Sequence, residues 1–172
     1  MKITEVFLDM DGVLCDFNAV YERKFGMTSS EVKANRDRKD YKHFWSTFIR
    51  DREFENLPML DGAKELLDYI NSKPIEVSIL SSSGSGSDLH YLHKEVLIQK
   101  YNWLDNHNIT YPRFIVAGRS KKKEYAHKGA LLIDDTPENV SDFKIAGANA
   151  ILWDESKDLL SKMKEVDLYF KL

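Results

Sequence analysis

At 172 residues the chain has room for one domain with a modest insertion and for a single hydrophobic core. Its 42% hydrophobic and 31% charged residues, without repeats or low-complexity runs, exclude disorder; a formal charge of −3 argues against stable nucleic-acid binding as its main task and is compatible with a small anionic ligand. Cys15 is the only cysteine, so no internal disulfide is possible, and the absence of a leader-like or membrane-spanning apolar run predicts a cytoplasmic protein without membrane contact.

In chain order, the first element is a short apolar strand at 5–9, EVFLD. The segment 17–58 that follows has helical rather than strand patterning: Phe17, Val20, Tyr21 and Phe25 share a face, TSSE at 28–31 has the form of a capping box, and YKHFWSTFI is a further short helix. DGAKELLDYINSK is the next helix, with Asp61 as the expected N-cap and Ala63, Leu66, Leu67 and Ile70 on its apolar side. Strand 75–80, IEVSIL, runs into SSSGSGSD, and the following helix has Leu97, Tyr101 and Leu104 as its expected face. Strands 114–117, 130–134 and 149–153 come next, with a helix between the last two that Thr136 caps, Pro137 begins and Gly147 closes. Short buried strands alternating with helices predict an α/β fold, a Rossmann-like three-layer sandwich with a central parallel sheet. The helical cap inserted after the first strand is expected at 17–58, and the core domain at 1–16 and 59–172.

In an open parallel sheet, ligands bind beyond the carboxyl ends of the strands, so polar residues that follow apolar runs are the candidates. Asp9 and Asp11 follow the first strand and fall on one side of an extended chain; two neighbouring carboxylates can divide the work of nucleophile and general acid/base. Asp and Gly also suit a plain turn at a strand end. Ser81, and Ser82 after it, stand where hydroxyls and backbone N–H groups could cradle a phosphate, while Ser85 to Asp88 read as ordinary loop. Lys122, with Lys123 second, is the choice from the lysines at 121–123 for offsetting the charge of a nucleophile and a phosphate. Asp134 and Asp135 bring the carboxylates at this edge to four, a self-repelling group that calls for a cation, and hard oxygen donors suit Mg²⁺. Asp135 also suits a loop position before Thr136. The five histidines show no ligand spacing, and Cys15 reads as a small buried residue.

The order D-x-D-G, then Ser, then Lys, then DD resembles the haloacid dehalogenase (HAD) superfamily of phosphotransferases over nearly the whole chain. That resemblance implies Asp9 as the nucleophile that forms an aspartyl-phosphate, and Asp11 as the acid and base. Ser81 and the lysine would hold the phosphoryl group, with Mg²⁺ on Asp134 among Asp9, Asp11, Asp134 and Asp135. Gly12 would let the backbone approach the phosphate, since no Cβ obstructs it. Within the superfamily, DMDGVLCDF, FWSTF with LPMLDGAKELL, and QKYNWL are similar to the 5′-nucleotidases of deoxyribonucleoside monophosphates, including small phage and bacterial forms. Those carry a helical cap whose aromatics pack on the base, a role open here to Phe17, Phe44, Trp45 and Phe48, which could equally form the cap's own core. The implied activity is Mg²⁺-dependent hydrolysis of nucleoside 5′-monophosphates by a monomer or homodimer. The alternatives are a phosphatase of sugar phosphates or phosphorylated nucleic-acid ends, and a non-catalytic binding protein.

Overall fold

A computed structural model describes residues 2–34, 38–85 and 89–171 of the chain. Five strands form one all-parallel sheet: β1 (Glu5–Leu8), β2 (Glu76–Ser82), β3 (Arg113–Val116), β4 (Ala130–Asp134) and β5 (Asn149–Leu152). Their order is β3-β2-β1-β4-β5, with Leu8 opposite Ile79 on one side and Ile133 on the other. The chain builds outward from β1 to β3, then returns to the far side of β1 to add β4 and β5. That reversal opens a crevice at the carboxyl ends of β1 and β4, where an open sheet receives its ligand.

Alternation along the strands explains why both sheet faces are covered. Val6 and Leu8 of β1 belong to one buried cluster, together with residues of α4 (Ala63–Asn71), α5 (His93–Asn106) and α7 (Leu159–Leu168). Phe7 points to the opposite face, into a smaller cluster with Val140 and Phe143 of α6 (Pro137–Ile145). The expected strands and helices are therefore present, in three layers. No helix among the described residues is long and apolar enough to cross a membrane.

Between β1 and α4 the described chain is helical, with α1 (Phe17–Phe25), α2 (Ser29–Ala34), α3 (Arg38–Arg50) and a 3₁₀ turn at Glu53–Glu55. The capping box forms as its sequence predicts: Thr28 N–H donates to Glu31 Oε2 at 2.7 Å, and Glu31 N–H donates to Thr28 Oγ1 at 3.2 Å. Val20, Tyr21, Phe48 and Phe54 from this insertion join the same cluster as the α4 and α5 face of the sheet. The buried Trp103 indole of α5 donates to Leu57 O at 2.7 Å, which fastens the end of the insertion to that helix.

Two local expectations change. Gly62, not Asp61, takes the N-cap of α4, because its φ of 86° makes a left-handed entry that leaves Asp61 outside the helix. The buried side of α5 is Val96, Gln99, Lys100, Trp103 and Leu104, which leaves Leu97 and Tyr101 only half-buried. A polar stripe thus lies within the core face of this helix, and it leads directly to the site.

Candidate active site

The carboxyl ends of β1, β2 and β4 border a cavity of about 580 Å³. Asp9, Asp11, Ser81, Ser82 and Asp135 line it from the strand ends and Lys122 from the connection between β3 and β4, while Phe17 and Trp45 line it from α1 and α3. Asp9 N–H donates to Ile133 O at 3.0 Å and prolongs the β1–β4 ladder by one residue; the chain then folds into a tight turn in which Met10 O accepts from Val13, Leu14 and Cys15. Asp9 and Asp11 therefore share a cavity through a turn rather than through an extended strand.

Each of the two carboxylates has its own lysine. Asp9 is nearly buried, with Oδ1 accepting from Met10 N–H at 2.7 Å and Oδ2 2.6 Å from Lys122 Nζ. Lys122 also lies 2.6 Å from Asp134 Oδ2, so one buried cation serves two buried anions. Burial works against charge on Lys122, but Asp9 and Asp134 outweigh it and hold its pKa above the ordinary lysine value. Asp11 takes its cation from Lys100, whose Nζ donates to Asp11 Oδ2 at 2.7 Å, to Ser81 Oγ at 2.9 Å and to Ser82 O at 2.9 Å. Lys100 is fully buried, and these three acceptors satisfy its three N–H groups.

Asp134 closes β4 with both oxygens engaged. Asn139 Nδ2 donates to Oδ1 at 3.0 Å and to Oδ2 at 3.1 Å, Thr136 N–H donates to Oδ1 at 2.9 Å, and Lys122 holds Oδ2. Asp135 is more open and lines the cavity; burial, together with the nearby negative Asp9 and Asp134, pushes its carboxyl up to about 8. One oxygen from each of Asp9, Asp134 and Asp135 lies within 4.8 Å of the others, an arrangement that could hold a metal ion. Asp11 is outside this group, and its carboxylate is paired with Lys100 instead.

Several expected site residues have other surroundings. Gly12 does not line the cavity: with φ at 76°, the space its missing Cβ would fill lies 2.1 Å from Asp135 Oδ2, so glycine here admits a carboxylate. Lys123 is exposed and turned away, since the 3₁₀ stretch Arg119–Tyr125 directs only Lys122 inward. Phe48 is fully buried among Phe17, Tyr21 and Phe54, and Phe44 stacks on Phe25 with centroids 4.7 Å apart; neither reaches the cavity. Gly86, Ser87 and Asp88 of the presumed ordinary loop lie outside the described residues. Cys15 is a small buried residue, as read from sequence, with Sγ 3.6 Å from Asp11 Oδ1 and burial raising its thiol pKa.

Sequence reading missed Lys100 and Asn139. The signal for Lys100 was present: it interrupts the apolar spacing of Val96, Trp103 and Leu104, and a lysine inside a buried stripe needs anionic partners. Asn139 carried none, because a lone polar residue in the first turn of a helix such as α6 is ordinary.

Residues 2–166 match the family model described as 5′ nucleotidase, deoxy (Pyrimidine), cytosolic type C protein. None of the curated proteins compared with the chain matches it. Among solved structures, a haloacid dehalogenase-like hydrolase from Streptococcus pneumoniae superposes with a TM-score of 0.62 at 14% identity, covering 98% of each chain. A Bacillus subtilis protein described as a HAD-hydrolase bound to magnesium gives 0.54 at 13% identity, covering 100% of each. L-2-haloacid dehalogenase from Xanthobacter autotrophicus gives 0.52 at 15% identity, covering 86% of this chain and 76% of its own. These distant likenesses share the fold, and the family match covers nearly the whole sequence. The chain has the fold of HAD-type hydrolases and belongs to the deoxy (pyrimidine), cytosolic type C 5′-nucleotidase family of phosphatases.

Proposed function

We propose that the protein is a Mg²⁺-dependent phosphomonoesterase that hydrolyses nucleoside 5′-monophosphates, preferring deoxyribonucleotides, through an aspartyl-phosphate. The observation that carries this reading is Asp9: a buried carboxylate at the cavity floor, fixed by Met10 N–H and Lys122, with Asp11 lining the same cavity on a separate lysine.

The donor set suits Mg²⁺, because it offers hard carboxylate oxygens with too little positive charge among them. Asp9 and Asp135, which line the cavity, are the side chains that would hold the ion, whereas Asp134 is fully buried outside its lining and orients Lys122. Bound there, Mg²⁺ would offset negative charge on the phosphoryl oxygens.

The rest follows from the chain's own groups. An Asp9 oxygen attacks phosphorus, the P–O5′ bond breaks, and Asp11 donates a proton to the departing nucleoside oxygen. Asp11 then takes a proton from water as the water attacks the phosphoryl group, and Asp9 is regenerated with release of phosphate. Lys122 and the Ser81 and Ser82 hydroxyls hold phosphoryl oxygens. The insertion at 17–58 serves as the cap, and Phe17 and Trp45 give the base a flat apolar wall.

The test is a panel of ribo- and deoxyribonucleotides and sugar phosphates, assayed for initial phosphate release with and without Mg²⁺. Nucleotides should be preferred, and Asp9→Asn should lose roughly a thousandfold or more, as removal of a nucleophile does. Preference for sugar phosphates over every nucleotide would overturn the substrate; full activity in Asp9→Asn would overturn the mechanism.

A further inference from the structure

Three serines follow one another at the end of β2, and their hydroxyls are used differently. Ser81 Oγ accepts from Lys100, and Ser82 Oγ accepts from Gly84 N–H at 3.3 Å. Both residues line the cavity and keep a hydroxyl hydrogen for donation. Ser83 is fully buried and does not line it.

The Ser83 hydroxyl can be assigned completely. Ser83 Oγ lies 3.0 Å from Ala117 O; a carbonyl only accepts, so the hydroxyl hydrogen goes there. Ser85 N–H donates to Ser83 Oγ at 3.3 Å, which uses one lone pair. His93 Nδ1, at 2.8 Å, must therefore bring the hydrogen to the other lone pair. With one hydrogen and two lone pairs all engaged, Ser83 has no capacity left for a ligand.

Those partners lie where three supports of the site meet. His93 is the first residue of α5, and Lys100 follows seven residues later, about 10 Å along the helix axis. The helix thus grips the 81–85 segment twice: through His93 on Ser83, and through Lys100 on Ser81 Oγ and Ser82 O. Ala117 stands just before the 3₁₀ stretch that carries Lys122, and Ser83 N–H also donates to Val116 O at 2.8 Å.

We propose that Ser83 and His93 are a pair of positioning residues, which set the Ser81 and Ser82 hydroxyls against the phosphate by tying the end of β2 to α5 and to the Lys122 segment. This rests on the reading of Ser81 and Ser82 as phosphate holders. Neither residue touches substrate; both act through the loop.

The test measures affinity for inorganic phosphate by calorimetry in the presence of Mg²⁺, beside KM and kcat for a nucleoside 5′-monophosphate and the thermal midpoint. His93→Leu removes the donor and should weaken phosphate binding and raise KM about fivefold to tenfold, the scale of one intramolecular hydrogen bond, with a smaller change in kcat. His93→Asn, which can place an amide N–H near the position of Nδ1, should recover most of that loss. Ser83→Ala should reproduce the loss, and adding His93→Leu to it should add little. Unchanged phosphate affinity in Ser83→Ala would overturn the proposal, whether or not His93→Leu folds; so would an Asn variant no better than Leu. Wild-type protein that binds phosphate but releases none from any nucleotide overturns the function proposed above instead, and the role of the pair is then read from phosphate affinity alone.

Discussion

β1 has a carboxylate near each end, and both reach a cation carried by the connection between β3 and β4. Past its carboxyl end, Asp9 meets Lys122 at 2.6 Å, with side chains 7% and 2% exposed. At its amino end, Glu5 meets His127 at 3.0 Å, with side chains 18% and 46% exposed. The contacts are chemically alike, but water can replace a lost partner only at the amino end. At the carboxyl end a single lysine serves Asp9 and Asp134, and Asp135 adds a further carboxylate beside them. Function in this sheet follows from charges made dependent on one another by burial, rather than from the presence of charge.

The sharpest way to break that contrast is Lys122→Met, which keeps the bulk of the side chain and removes the shared cation. Two buried carboxylates would lose it at once, and breaking a buried pair costs about 3–5 kcal/mol. Urea unfolding should show a loss on that scale, and phosphate release should fall with it. A loss no larger than that of an exposed pair would mean that the site is more hydrated than its burial indicates.

Lys100→Met should fall below it, because the Asp11 side chain is 24% exposed and water can take over part of the lost interaction. A hydrogen bond to a charged group contributes about 1.5–3 kcal/mol, so urea unfolding should show a loss near that range. Activity should also decline, since Asp11 and Ser81 both lose their shared donor. A stability loss equal to that of Lys122→Met would remove the distinction between the two lysines.

These lysines also show what was legible in the sequence. The strands were, because short apolar runs bounded by turn residues have few other readings, and the strand-end rule then placed Asp9, Ser81, Lys122 and Asp134 at one edge. Lys122 could be chosen over Lys123 only by guesswork, since the 3₁₀ turn that directs one inward and the other outward is set by tertiary packing. Phe44 and Phe48 were candidates for the cavity wall because a helical pattern shows which residues are apolar, not whether they face a ligand or one another. The division between Asp134 and Asp135 depends on Asn139 and Gly12, which reach them only through the folded backbone.

Gly12→Ala should come next in size. A left-handed residue with a Cβ costs about 1–2 kcal/mol, and the added methyl would also meet the Asp135 carboxylate. Because Asp135 is one of the proposed metal ligands, the Mg²⁺ concentration giving half-maximal activity should rise more than KM for nucleotide. An unchanged Mg²⁺ requirement would separate Asp135 from the metal.

His127→Ala probes the other end of β1 and should have the smallest effect. His127 Nε2 faces Glu5 Oε2 at 3.0 Å and Nδ1 faces Lys128 O at 3.2 Å; both neighbours can only accept, so both bonds form only in the imidazolium. The hydrogen bond to Glu5 accordingly holds the His127 pKa above its ordinary value. A raised folded-state pKa means that the stabilisation is complete below the unfolded value, near 6.5, and is lost as pH rises through the folded one. Wild type should therefore exceed His127→Ala by about 0.2–1 kcal/mol near pH 5.5, the range of exposed ion pairs, with the difference fading toward alkaline pH. Added salt should shrink this difference while leaving the cost of Lys122→Met largely in place, because screening acts on exposed charges and far less on buried ones. A His127 contribution that grows with pH, or equal salt sensitivity at the two ends, would show that burial does not divide the charges of this sheet.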